Sequence, residues 1–150
     1  MEKEDMIVTA KQYLSEINKY RGICVTLYGR IEDLRNAIGG LKAVTYDKDR
    51  VQVSPTNHME EKIPDLIRAE EKYVKALVKY NAEVLKRAKQ IADLDMADYS
   101  EILRLRYIEL DKDGMPLTLE EISCRMHLSF WRTAHLHGEA LEAFRRKYLT

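Results

Sequence analysis

Apolar residues recur through the first forty positions at alternating steps of four and three: Met6, Ala10, Tyr13, Ile17, Tyr20, Cys24, Leu27, Ile31, Leu34, Ile38 and Leu41. That alternation lays one narrow stripe along an α-helix, sustained over about five heptads, and no strand can reproduce it. At ~1.5 Å per residue the helix is on the order of 50 Å long, and its stripe needs a partner surface of similar length. Gly22 and Gly29 lie inside it, each weakening the helix by ~1 kcal/mol relative to Ala. Gly39-Gly40 is the expected stop.

A second stripe follows the same rule: Ile63, Leu66, Glu70, Tyr73, Leu77, Tyr80, Val84, Arg87, Ile91 and Leu94, with Ile67, Val74, Asn81 and Ala88 beside it. Glu70, Asn81 and Arg87 make this face less dry than the first. Between the stripes, residues 42–57 show no period. Tyr46 to Arg50 reads as a charged loop, and Val51 to Thr56 as extended chain, because Pro55 disfavours helix at Ser54. Asn57 and Glu60 have capping-box spacing, and Pro64 falls in an early turn of the second helix. Two amphipathic helices of matching length joined by a loop fold back most economically as an antiparallel pair, with Tyr13, Tyr20, Tyr73 and Tyr80 between them. Their apolar faces are wider than one such pair has to cover, which predicts a homodimer through a four-helix arrangement or, as the alternative, a hairpin docked on the C-terminal module of the same chain.

The 150 residues suit one domain or a small domain with an extension, and a content of only 6 Gly and 3 Pro favours helix throughout. With 25 basic and 25 acidic residues the net charge is zero. That excludes a protein that coats DNA by bulk charge, but not a reader that uses a few placed side chains. Cys24 and Cys124 belong to no CxxC pair and are expected as small buried residues in a reducing compartment. Met1 to Ala10 is charged and lacks the apolar core of a signal peptide. No apolar run approaches the ~18 residues that would span a membrane, so a cytoplasmic protein is expected.

Asp93, Asp95 and Asp98 break the period and mark a junction, dividing the chain into 1–95 and 96–150. Three short helices are expected after it. The first covers Ala97 to Ile108, and Asp111 to Pro116 is a loop. Thr118 and Glu121 form a T-x-x-E capping box that opens a helix reaching Arg125. His127-Leu128 makes a turn, and Ser129 caps a last helix that continues to about Tyr148. Leu119, Ile122 and Met126 face inward, Leu128 plugs the turn, and Leu136, Ala140, Leu141 and Phe144 form the buried side of the last helix. Small Ser123 sits where the two helices approach. This is the pattern of a helix-turn-helix, whose second helix enters the major groove with its first exposed residues at base edges. The expected architecture is therefore all-α: a long antiparallel, coiled-coil-like helical hairpin serving as a dimerisation arm, followed by a small three-helix helix-turn-helix domain.

The DNA-facing positions are Thr118, Ser129, Phe130, Trp131, Arg132 and His135. Arg132 and His135 are placed to read bases, arginine being the commonest reader of guanine. Phe130 and Trp131 suit a thymine methyl, packing against the hairpin, or a partner protein. Arg145, Arg146 and Lys147 suit phosphate, and equally complement the helix dipole. Residues 100–150 hold eight basic and eight acidic side chains. Because affinity for DNA depends on phosphate neutralisation, this segment alone should bind weakly. His135 and His137 point about 200° apart on one helix, and no cysteine joins His127 to complete a set, so neither a metal nor any other cofactor is expected. Glu120-Glu121 and the junction aspartates have no nucleophile–base pair beside them, and no enzymatic activity is expected.

Residues 99–141 resemble region 4 of bacterial sigma-70 factors, in the variant found in small phage and prophage proteins of low-GC Gram-positive bacteria. The likeness rests on "ILRLRYIEL", "LTLEEISCRMHLS" and "HLHGEALEAF". Upstream, "DKDRVQVSPTNHMEEKI" and the paired long helices are also similar to those proteins, which include ArpU-like late-transcription regulators. The resemblance implies sequence-specific contact with double-stranded DNA beside RNA polymerase, and no catalysis. In that family the outer face of the second helix carries several basic or amide residues, whereas Phe130, Trp131 and Ala134 stand there in this chain. Two readings from other classes stay open: a phage DNA-packaging factor of the small terminase type, and a protein-interaction adaptor whose helix-turn-helix does not bind DNA.

Overall fold

The computed structural model describes the backbone of residues 2–48 and 57–150, and the side chains of residues 9–41 and 62–150. Every regular element among them is helical: α1 (Glu2–Lys48), α2 (Asn57–Ala92), α3 (Ala97–Leu103) running into a π turn (Arg104–Ile108), α4 (Leu119–Met126) and α5 (Phe130–Tyr148). No described residue lies in a strand; a lone antiparallel bridge joins Leu110 to Pro116. The chain gathers into two compact units, one made of Met1–Arg21 with Ala82–Thr150 and the other of Gly22–Asn81. The division passes through both long helices.

In the unit of residues 22–81, Cys24, Leu27 and Ile31 of α1 bury against Leu77 of α2, with Tyr73, Val74 and Tyr80 packed beside them. Arg35 pairs with Glu70 at 2.6 Å, and the Arg30 guanidinium lies 5.7 Å over the Tyr73 ring. Residue numbers rise on one helix as they fall on the other, so the two segments run antiparallel here. Each buried position belongs to the four-three stripes, and burying an aliphatic side chain of this size contributes about 1.5–3 kcal/mol.

Gly39-Gly40 does not end α1, and the residues after it, expected as irregular, continue the helix to Lys48. Each glycine costs the helix only ~1 kcal/mol, and neither supplies a turn of its own accord. Ile38 before the pair is buried and Leu41 after it is half-buried, which holds the helix through the weak point. The extended stretch expected over Val51 to Thr56, and the capping spacing of Asn57 with Glu60, lie outside the described residues or side chains. Pro64 sits inside α2.

The core of the other unit draws on all five helices and on the π turn, which supplies Leu105 and Tyr107. Ala10, Leu14 and Ile17 come from α1, Ile91 from the end of α2, Ile102 and Leu103 from α3, Ile122 from α4, and Leu136, Ala140, Leu141 and Phe144 from α5. Tyr13 donates to Gln90 Oε1 at 2.7 Å, and its ring lies 5.8 Å from that of Phe144.

Arg87, which interrupts the second stripe, is buried and fully engaged. Its Nη2 reaches Glu16 at 2.7 Å, its Nη1 reaches Glu83 at 2.6 Å, and its Nε donates to the Tyr13 carbonyl. The guanidinium lies 4.2 Å over the Tyr13 ring centre and 5.0 Å over that of Tyr20. A buried cation is tolerable only with such partners. Cys24 is buried as expected, whereas Cys124 is exposed, on the side of α4 that Ile122 and Ser123 leave to water.

Candidate nucleic-acid interface

α4 begins where the Thr118 hydroxyl accepts the Glu121 amide at 3.2 Å, satisfying a donor that the first helical turn leaves free. Ile122 and Ser123 face the core, and Ser123 Oγ donates to the Glu120 carbonyl. The helix stops at His127, whose φ of 57° is left-handed. Its amide and that of Leu128 return to the Cys124 and Ser123 carbonyls, at 3.4 and 3.0 Å. Two residues later Ser129 starts α5 by accepting the Arg132 amide at 3.1 Å, and buried Thr133 donates its hydroxyl to the Ser129 carbonyl. Met126 and Leu128 pack on the same core as Leu136 and Leu141, so the direction in which α5 leaves the turn is set from both sides.

The first turns of α5 present Phe130 and Trp131 to solvent, 54% and 67% exposed. Trp131 rests against His135, with ring centres 4.1 Å apart. Arg132 is half-exposed and reaches Glu139 at 3.8 Å. Ser129, Phe130, Trp131, Arg132 and His135 thus lie together on the exposed start of one helix, although the Ser129 and Thr118 hydroxyls are already committed to capping.

Arg145, Arg146 and Lys147 lie about 20 Å further along α5, each with a partner. Arg145 grips Glu142 through two bonds of 3.1 and 2.9 Å, and Arg146 reaches the same carboxylate at 3.0 Å. These bonds, Arg145's first, hold the Glu142 carboxyl down to about 2. Lys147 donates to the Asp93 carbonyl and lies 3.3 Å from the Asp95 carboxylate. The basic end of α5 is largely neutralised within the chain.

Sequence reasoning did not single out Glu139, Tyr99 or Gly138. They border an open groove of about 630 Å³ on the outer side of α5, where Tyr99 donates to Glu139 at 3.4 Å. The signal for Glu139 was its place two helical turns after Arg132. No comparable signal links Lys147 to Asp93 and Asp95, more than fifty residues away.

Beneath this face a 2.9 Å hydrogen bond joins the Tyr107 hydroxyl and His137 Nε2. Burial, then the Arg106 and Lys11 charges, holds His137 down to about 4, and burial pushes Tyr107 up to about 12. Both are neutral near pH 7. Among the described residues no three His, Cys, Asp or Glu side chains are grouped to hold a metal ion, and no helix is long and apolar enough to cross a membrane. No protein-family model, curated protein or solved structure matches the chain.

Proposed function

We propose that the chain is a sequence-specific DNA-binding regulator of transcription of the phage or prophage type, acting beside RNA polymerase. Its reading head is the helix-turn-helix made by α4, the turn at residues 127–129 and α5. The observation that carries this reading is a helix closed by left-handed His127, a Ser129 cap, and a second helix that buries one side while exposing Trp131, Arg132 and His135 at its start. A recognition helix requires that arrangement. The balanced charge of the face makes a second contributor to affinity necessary, and RNA polymerase and a second copy of the chain are the proposed ones. The paired segments of α1 and α2 are the proposed dimerisation arm, a helical hairpin that leaves Val25, Tyr28 and Val78 exposed outside its own core.

Selection of binding sites from random double-stranded DNA, followed by anisotropy titration at several salt concentrations, tests the proposal. One enriched sequence is expected, bound as a dimer by light scattering, and Arg132→Ala should lose about 1–3 kcal/mol on it. Failure to enrich any sequence, with or without polymerase, would overturn it. The adaptor reading would then lead, favoured by the exposed aromatic pair and by the engagement of Arg132 with Glu139.

A further inference from the structure

We infer that Trp131 is a specificity-determining residue that reads the 5-methyl group of a thymine in the major groove, with His135 as its prop. The inference rests on the DNA-reading role proposed above and names the chemistry of that site. Trp131 is the only tryptophan of the chain and occupies the second position of α5, two residues after the Ser129 cap. It is 67% exposed, although an indole gains more from burial than almost any other side chain.

The ring is not left to swing freely. His135, one turn on, lies 4.1 Å away centre to centre at a tilt of 44°, and limits the rotamers that would have to be lost on contact. The neighbouring cation, Arg132, has a counter-charge in Glu139 3.8 Å away, so the surface around the indole is not a net positive one. A face built this way discriminates by apolar contact more than by charge. Among the edges that base pairs show in the major groove, the thymine 5-methyl is the apolar one; cytosine has only hydrogen at that carbon, and an amino donor where thymine has its 4-carbonyl. An indole has no acceptor for that donor. Thymine is accordingly preferred over cytosine at the position facing Trp131.

Deoxyuridine tests this directly, since it removes the methyl group and keeps the pairing. On the site selected from random DNA, each thymine is replaced in turn and binding of the full chain is titrated by anisotropy. At one or two positions uracil should weaken binding about fourfold, the effect of exposing one buried methyl group. Trp131→Ala should weaken binding to the parent site and become indifferent to uracil at those positions, while Trp131→Phe keeps the discrimination. Circular dichroism of Trp131→Ala should match the parent, as its exposure implies. If the parent is indifferent to every thymine-to-uracil change, or Trp131→Ala discriminates as the parent does, the inference is overturned while the DNA-reading role stands. If no site is enriched at all, the DNA-reading role itself fails, and Trp131 becomes a contact for a protein partner.

Discussion

His137 holds a titratable ring inside a helical core, hydrogen-bonded to Tyr107 and near the Arg106 and Lys11 charges. In the unfolded chain it takes up a proton near pH 6.5, and in the folded chain only near 4. The unfolded state therefore binds more protons between those values, and stability must fall as pH drops from about 6.5 to about 4. The full loss is about 3 kcal/mol. Glu142 acts in a lower window: its contribution is complete above the ordinary carboxyl value and is lost as pH falls through about 2. His137→Gln keeps a polar partner for Tyr107 and removes the titration. Urea unfolding of this variant should be flat between about pH 6.5 and about 5, above the carboxyl window, where the parent declines, and equal slopes for the two would refute the assignment. Local chemistry of this kind was only partly legible. Thr118 and Ser129 announced their roles, because capping depends on neighbours three residues away. The ion pairs of Lys147 did not, because Asp93 and Asp95 become its neighbours only after the chain has folded.

Among the elements, α1 carries four glycines, Gly22, Gly29, Gly39 and Gly40, whose presence its own packing does not require. A methyl group at Gly22 or Gly29 would meet nothing within 4 Å. Gly22→Ala and Gly29→Ala should each stabilise the helix by ~1 kcal/mol, raising the thermal midpoint by a few degrees. If either variant instead weakens self-association in light scattering, that side of α1 is covered by a second copy. Leu27 and Leu77 lie in the dry seam of the unit of residues 22–81, so Leu27→Asp or Leu77→Asp would bury an unpaired carboxylate. Either change should abolish the helical signal of that unit, and unchanged melting in both would contradict the seam. The seam was legible because four-three spacing reports the face a helix turns towards its first partner. It says nothing of a second partner. Leu14 is fully buried yet lies off the stripe, because the core here takes a wider face of α1, Leu14 as well as the stripe residues Ala10 and Ile17. The length of α1 was misjudged at Gly39-Gly40 for a related reason: propensity weighs each residue alone, and packing on both sides of the pair outweighed it.

At the scale of the whole molecule, the unit that holds α4 and α5 is not a contiguous stretch of sequence. It closes only when Ala10, Leu14 and Ile17 supply part of its interior and Arg21 donates to the Ile108 carbonyl at the end of the π turn. Three fully buried α1 side chains belong to a core of fifteen buried residues, and removing them exposes apolar surface of the rest of that core. At 1.5–3 kcal/mol for each large aliphatic side chain, Leu14 and Ile17 alone contribute about 3–6 kcal/mol, comparable to the whole stability of a small domain. A fragment of residues 96–150 should therefore be a weakly ordered helical chain without a cooperative melt, even though it holds α3, α4 and α5 entire. Adding a peptide of residues 2–21 to a fragment of residues 82–150 should restore part of that cooperativity. In the full chain, Ile17→Asp should disorder the α4–α5 segment, a hundred residues away in sequence, and abolish the contact of Trp131 with His135, which the fluorescence of the lone tryptophan reports. Sharp, cooperative unfolding of residues 96–150 alone, or an unchanged tryptophan spectrum in Ile17→Asp, would mean that α1 leans on the core of α3, α4 and α5 without completing it.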